Sequence, residues 1–470
     1  MNDEGAAGAT SRRRRPELDT LYTVNADGSR NFLHPADVRG RWQRRKNLLT
    51  ALLIGVYAGL PWLTIGGRPA VLIDLPGRVA HLCGLAFTNQ DFYLVFFLVS
   101  GLGFGLIVVT SLWGRVWCGY ACPQTVFMEG VFRRVERALE GTRPERIRRN
   151  LGPWTADKAW RKLVKHALFL VLGTLIAHVF LSYFIPAREL IRVLPEGPHG
   201  HGSALFWTLF WTAVLYFNYS WFREQTCLIV CPYGRLQATL IDHDTIIIGY
   251  DARRGEPRHK GVGEGGDCVD CYRCVEVCPT GIDIRGGLQM ECIGCANCID
   301  ACDEIMAKVG RPAGLVRYDS QRGLDGGARR CLRPRLFVYA ALGLAGLLAA
   351  GFAAARREPF QVNVLRAPGL PFVLEEAGIR NIFTLHVQNK SDRPALFTII
   401  AAPAADGPAG RVALIIPQAR VRLEALADAE IPIVATLPRA AWQVPFPLSF
   451  AVTDSATGRR LDVKVVFRGP

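Results

Sequence analysis

The stretch "CVDCYRCVEVCPTGIDI" (Cys268–Ile284) sets four cysteines in the order C-x2-C-x2-C-x3-C-P, and "CIGCANCIDACDEI" (Cys292–Ile305) repeats the spacing. Three thiols at intervals of three wrap one iron–sulfur cubane on a tight loop. A fourth from the distant run completes the set, so the last cysteine of each run serves the other cluster. The spacing therefore assigns Cys268, Cys271, Cys274 and Cys302 to a first [4Fe–4S] cluster, and Cys292, Cys295, Cys298 and Cys278 to a second. A C-x2-C pair also suits structural zinc, but eight cysteines in a doubled register favour iron–sulfur. Cys278 precedes Pro279 whereas Cys302 precedes Asp303, a local departure that removes no ligand. Two such clusters in one small lobe form a wire, and a wire needs a destination.

A second repeat offers one. "WCGYACPQ" holds Cys118, Cys122 and Pro123, and "CLIVCPYGR" holds Cys227, Cys231 and Pro232. Each C-x3-C-P pair follows an apolar run. If the backbone stays helical, positions i and i+4 share one face, and the following proline makes each pair a cap at its helix end. Nearby Arg115, Arg223 and Arg235 are expected to favour thiolate over thiol. Chance filler does not explain a motif found twice, and a disulfide is disfavoured on a reducing side of the membrane. A third iron–sulfur site and a soft-thiolate site for monovalent copper both fit the spacing.

The surrounding chain reads as a membrane protein. Half of its 470 residues are hydrophobic. Five apolar segments, 47–65, 92–113, 164–185, 204–222 and 336–355, have the length to cross a bilayer. The formal charge is +15, from 56 Lys+Arg against 41 Asp+Glu, and its distribution is a topology signal rather than a nucleic-acid footprint. Arg12–Arg15 and the cluster Arg39, Arg41, Arg44, Arg45, Lys46 precede the first span. The loop 114–163 holds eleven Lys/Arg, while the loops 66–91 and 186–203 hold two each. Positive-inside asymmetry places residues 1–46, the basic loop 114–163 and the region 223–335 in the cytoplasm, with the ferredoxin domain near 258–318. Residues 356–470 then lie outside, with Arg356 and Arg357 weakly opposing this. The first 46 residues show no apolar core of a cleavable signal peptide. All fourteen cysteines fall between Cys83 and Cys331.

The tail reads as β-structure. "NIFTLHVQN", "ALFTII", "RVALIIP", "EIPIVATL", "FPLSFAVTD" and "RLDVKVVF" are short alternating runs separated by turn residues. They predict an immunoglobulin-like β-sandwich without a disulfide, a docking or spacer module rather than a catalytic one. The fold class expected is thus a five-helix transmembrane bundle with an inserted two-[4Fe–4S] ferredoxin-like domain and a C-terminal β-sandwich.

Together "FLHPADVRGRW", "VYAGLPWL", "GRVWCGYACPQT", "TCLIVCPYGRLQ", "YDARRGEPR", "CPTGIDIRGGLQMECIGCANCIDACD" and "RPAGLVRYDS" resemble the FixG/CcoG/RdxA family, cytochrome c oxidase accessory proteins of bacterial inner membranes. The resemblance runs from about residue 21 to the end of the chain. It departs at Gly287 and Met290, where the family pattern carries an acidic residue and an aromatic. The resemblance implies reduction of Cu(II) to Cu(I) for assembly of a cbb-type oxidase. The ferredoxin clusters would supply electrons, and Cys118, Cys122, Cys227 and Cys231 would handle copper. Implied partners are copper ions, copper-transporting or oxidase-assembly proteins and a cytoplasmic electron donor, with no nucleic acid. Two other functions fit the chain: a quinol-linked electron conduit, like membrane subunits that pair with periplasmic nitrate reductase, and a non-catalytic copper chaperone or scaffold. The exported β-sandwich and "HPADVRG" favour the accessory family.

Other candidates carry less. His178 lies within the third span, where an ionisable residue is a functional candidate. Its position around the helix makes it a poor metal partner for His166. His199 and His201 fall in a Gly-rich loop, Cys83 and Cys331 lack partners, and "GVGEGG" before Cys268 reads as a linker.

Overall fold

The computed structural model describes residues 32–88, 91–196, 201–259, 265–330, 332–376, 378–391, 393–401 and 408–470. Arg12–Arg15, His199, Cys331 and residues 261–264 of the Gly-rich linker lie outside the described residues. The chain forms two compact units, one running to Asp74 and continuing over Phe96–Leu348, the other made of Leu75–Val95 and Ala349–Pro470.

Among the described residues, three helices are long and apolar enough to cross a membrane: Tyr93–Trp113, Ala156–Leu181 and Pro334–Ala355. Five were expected, and the other two segments behave differently for local reasons. The α-helix Arg41–Gly59 passes into a single 3-10 turn over Leu60–Trp62, with Leu60 still helical ahead of Pro61. Its first turns carry Arg44, Arg45 and Lys46, so only its second half is apolar. The helix Gly202–Phe217 gives way to a π-helix at Asn218–Phe222. Small residues let the spans approach closely. A Cβ on Gly101 would lie 2.7 Å from Leu347 Cδ2, and one on Gly346 would lie 3.5 Å from the Gly101 nitrogen. Their large side chains, among them Phe96 and Leu348, face outward.

The two intrahelical histidines have structural partners. His166 Nδ1 sits 3.0 Å from the Tyr216 hydroxyl, and His178 Nδ1 sits 3.2 Å from the Thr174 carbonyl. They do not share a site.

The basic segment 114–163 and the start of the next helix bury several of their charges. Arg133, Glu136, Glu140, Arg146, Lys158 and Lys165 are all buried. Arg133 bonds the carboxylates of Glu129 and Glu224. Arg223 reaches Glu136 at 2.5 Å, and Lys165 reaches Glu140 at 3.0 Å. Paired in this way, the charges tolerate burial.

The ferredoxin lobe closes on an antiparallel strand pair, Ile246–Tyr250 against Val316–Ser320. The tail is a two-sheet sandwich. One sheet runs in the order Ala413–Ile415, Asp428–Leu437, Gly378–Asn389, Phe360–Arg366, with Val373–Glu375 also on Gly378–Asn389. The other runs Arg420–Leu423, Ala395–Ala401, Phe446–Asp454, Arg460–Phe467. Register pairs Phe383 with Ile433 and Leu385 with Ile431, so the period of two turns both pairs inward. There they meet Phe397, Phe450 and Val452 of the second sheet.

Within the same unit, Asp91 is 1% exposed and accepts from Arg357 at 2.9 Å and from Lys390 at 3.0 Å. Arg357 opposed the charge pattern of the spans in the sequence. Its guanidinium is committed to this buried carboxylate. Cys83 is exposed at the tip of a two-residue hairpin turn with Gly84, between Val79–Leu82 and Leu85–Thr88.

Candidate iron–sulfur and thiol site

The two cysteine runs fold as conformational copies. Tyr272 and Ala296, each directly after the second cysteine of its run, are left-handed at φ 59° and 63°. Asp270 and Gly294, each directly before it, also have positive φ. An alanine held in this region is uncommon, and here it turns the chain so that successive thiols face one space. Short helices then start at Arg273 and Asn297.

The spaces enclosed are those expected from the crossed assignment. One pocket of about 350 Å³ is lined by Cys268, Cys271, Cys274 and Cys302, with Tyr250 and Val316 as walls. The other, of about 330 Å³, is lined by Cys278, Cys292, Cys295 and Cys298, with Pro279 and four isoleucines. Cys274 borders both pockets. Among the described residues, no three His, Cys, Asp or Glu side chains converge on a point that could hold one metal ion. A zinc site would draw its sulfurs to about 2.3 Å from a common centre, whereas these thiols surround a volume. The residues fit cubane clusters. Burial pushes the Cys292 and Cys302 thiols up to about 12 and Cys295 up to about 11, so coordination is what would hold these sulfurs as thiolates.

The charges about the two sites differ. Asp283, with Arg285 bonded to it and to Asp270, and Asp303 surround the first. Lys46 stands at the second, 3% exposed, with its Nζ 2.7 Å from Asn297 Oδ1, between Cys295 and Cys298. Arg133 donates to the carbonyl of Pro279 at 3.1 Å, just past Cys278. Net charge near a cluster sets its potential. In a redox titration followed by electron paramagnetic resonance, Lys46→Met is expected to lower the second site's midpoint. The shift should be on the order of 100 mV, for one charge several ångströms away at an effective dielectric of about 20. Lys46→Arg should hold the wild-type value, and an unchanged midpoint in Lys46→Met contradicts this electrostatic role.

The C-x3-C-P repeats meet. Each breaks its helix at the second cysteine: Cys122 and Cys231 are extended and cap the helices Pro123–Phe127 and Pro232–Leu240. Cys118 lies in the helix Val116–Tyr120 and Cys227 in the π-helix Thr226–Val230. Cys118 Sγ donates to Gln237 Oε1 of the second copy at 3.3 Å. Gln124 of the first copy donates to the Arg223 carbonyl at 2.9 Å and accepts from Asn218. Cys118 and Cys122 lie within electrostatic reach of Cys231, and Cys227 of all three others.

The expected thiolate activation is corrected. Burial pushes Cys118 up to about 11 and Cys227 up to about 12, and the Arg115 charge only partly offsets it at Cys118. Arg223 is spent on Glu136. Backbone N–H groups of Gln124 and Thr125 point at the Cys122 sulfur, which burial also pushes up.

The quartet adjoins the second cluster site through backbone. A Cβ on Gly119 would fall 2.8 Å from the carbonyl carbon of Gly294 and from the Ile293 oxygen, in the loop between Cys292 and Cys295. Beside this contact lies a pocket lined by Cys227, Glu129 and Glu224 together with Pro279, Thr280 and Ile293. Sequence reading missed Glu129, Arg133, Glu224 and Lys46. The i,i+4 spacing of Glu129 and Arg133 was the available signal.

Fold and site together define a membrane-type iron–sulfur protein with a cluster-binding ferredoxin lobe. Residues 222–321 match the family model for a 4Fe-4S dicluster domain, 94–141 that for a 4Fe-4S binding domain, and 350–470 that for the IG-like fold at the C-terminal of FixG. Protein RdxA of Cereibacter sphaeroides is 36% identical over 456 residues, covering 93% of each chain. Nitrogen fixation protein FixG of Rhizobium meliloti is 36% identical over 83% of this chain and 84% of its own. Protein RdxB of Cereibacter sphaeroides is 37% identical over 82% of this chain and 84% of its own. A solved FixG-related protein from Vibrio parahaemolyticus matches 24% of this chain and 96% of its own, at 17% identity and a TM-score of 0.20, too low to bear on the fold. The chain belongs to the FixG family.

Proposed function

We propose that this protein passes single electrons from its ferredoxin lobe to the quartet Cys118, Cys122, Cys227 and Cys231, where Cu(II) is reduced to Cu(I) for assembly of a cbb-type oxidase. The observation that carries this reading is the backbone contact of Gly119 with Ile293 and Gly294, which joins the quartet to the second cluster site. The bound clusters supply one electron at a time. Each Cu(II) takes one and becomes Cu(I), an ion that soft thiolates hold well. The four cysteines bind and desolvate the ion, and Glu129 and Glu224 line the approach to Cys227. In this reading the N-terminus and ferredoxin lobe are cytoplasmic, five segments span a bacterial inner membrane, and the β-sandwich is periplasmic. Copper-transporting or oxidase-assembly proteins receive the Cu(I).

A second reading has its own support. The 4Fe-4S binding model spans residues 94–141, whose only cysteines are Cys118 and Cys122, and the quartet does not converge on a single-ion point. A third cubane on the quartet would make it a cluster terminus. Iron and sulfide counting on anaerobically purified protein separates the two. The copper reading expects iron for two clusters, unchanged when all four quartet cysteines become serine. Iron for three clusters, falling by about a third in that variant, contradicts it.

A further inference from the structure

Beside the second cluster site lies a further, half-open cavity. Its wall includes Trp113, which ends the apolar helix Tyr93–Trp113. Ile241, Ile247 and Ile248 continue the apolar lining, and Cys292 and Gly294 of the cluster loop border it. Leu288 and Met290 also line it and are 46% and 45% exposed, as is Trp113 at 48%. Arg115, Gln289 and Tyr318 interrupt the apolar surface, the Tyr318 hydroxyl donating to the Gly294 carbonyl at 2.8 Å. The Arg115 guanidinium is fixed by a bond from Nη2 to the Gly234 carbonyl, while its buried Nε–H has no acceptor among the described residues. Gln289 is anchored by a bond from Nε2 to the Asp283 carbonyl. An apolar slot with a few fixed polar groups is the usual form of a small-molecule site.

We propose that this cavity binds the head group of a lipid-soluble quinol, which donates electrons to the second cluster. Three features select that chemistry over a soluble carrier. The cavity adjoins the end of a helix long and apolar enough to cross a membrane, where a lipid-borne ligand resides. It offers a flat aromatic wall in Trp113 and an unpaired donor in Arg115 Nε for a ring oxygen. It borders Cys292, so a bound ring lies against a cluster ligand. The step balances as quinol giving quinone, two protons and two electrons. The electrons go singly through the second cluster and on to two Cu(II) ions, and the protons pass to water past Leu288 and Met290. A quinol is a weaker reductant than the usual ferredoxin donor. The cations Lys46, Arg115 and Arg133 near the second site act in the direction that lets it donate. This donor site rests on the cluster reading of the ferredoxin lobe.

The test uses anaerobic holoprotein with menadiol as reductant and a photoreactive azidoquinone as probe. Wild type is expected to bleach its cluster absorbance with menadiol and to take the label at Trp113 or on the Leu288–Met290 segment. Leu288→Trp fills the cavity without touching a ligand. It should slow menadiol bleaching by about tenfold or more and lose the label, with iron content and dithionite bleaching unchanged. Failure of menadiol to bleach wild type, bleaching of Leu288→Trp at the wild-type rate, or labelling elsewhere overturns the proposal. Copper reduction by dithionite-reduced protein is read in parallel. If it persists while any of those overturning results is seen, only the donor site has failed; if it is absent from wild type, the copper reading has failed instead.

Discussion

Cys278→Ser is expected to remove the second cluster, although Cys278 lies in the first run, and Cys302→Ser to remove the first. Each variant should lose about half of the ferredoxin lobe's iron. The pocket linings carry the expectation, since Cys278 joins Cys292, Cys295 and Cys298, and Cys302 joins Cys268 and Cys271. The check is a comparison of surviving signals by electron paramagnetic resonance. Cys278→Ser should leave the same spectrum and midpoint as Cys295→Ser, and Cys302→Ser the same as Cys268→Ser. If Cys278→Ser instead matches Cys268→Ser, each run holds its own cluster and the crossed geometry is wrong.

Glu136→Gln should destabilise the helical unit by about 3–5 kcal/mol, the cost of stranding a buried charge. Glu136 is 3% exposed and accepts from Arg223, itself 2% exposed, with Lys165 3.8 Å away. Arg223 sits four residues before Cys227 with φ at 55°, so its release should also disturb the quartet. The Arg223 and Lys165 charges hold the Glu136 carboxyl down at about 2 against its own burial. A depressed carboxyl stabilises the fold above its unfolded value of 4.5, and that contribution fades as pH falls toward about 2. Glu136→Gln should therefore lose the most relative to wild type near neutrality and little in strong acid. Thermal unfolding in detergent measures both, and the double variant Glu136→Gln/Arg223→Met should recover much of the loss. A single variant as stable as wild type contradicts the pairing.

These outcomes bear on what the residues disclose before folding. The ferredoxin site was legible because ligand chemistry restricts spacing, and the structure lines each pocket with the thiols that the spacing names. The strands Gly378–Asn389, Asp428–Leu437 and Phe446–Asp454 were legible as alternating runs. Phe360–Arg366 was not, since it follows closely on an apolar helix, nor was Arg420–Leu423, a short edge strand with two arginines. The buried ion pairs of residues 114–163 were not legible, for a physical reason. Arginines read as a topology signal until their carboxylate partners are known, and Glu224, which Arg133 meets, lies 91 residues away along the chain. The thiol chemistry was misjudged in the same way: neighbouring cations are visible in sequence, whereas the desolvation that outweighs them appears only on folding.

The central claim, that electrons leave the ferredoxin lobe through the quartet to copper, is tested most directly by single-turnover copper reduction. Protein reduced with dithionite is desalted anaerobically and mixed with Cu(II), and the Cu(I) formed is trapped by a chromogenic chelator. Wild type should yield one Cu(I) for each electron stored. The variant with Cys118, Cys122, Cys227 and Cys231 all changed to serine should yield almost none while its ferredoxin clusters stay reduced and intact. Equal Cu(I) from that variant, at equal cluster content, would contradict the account.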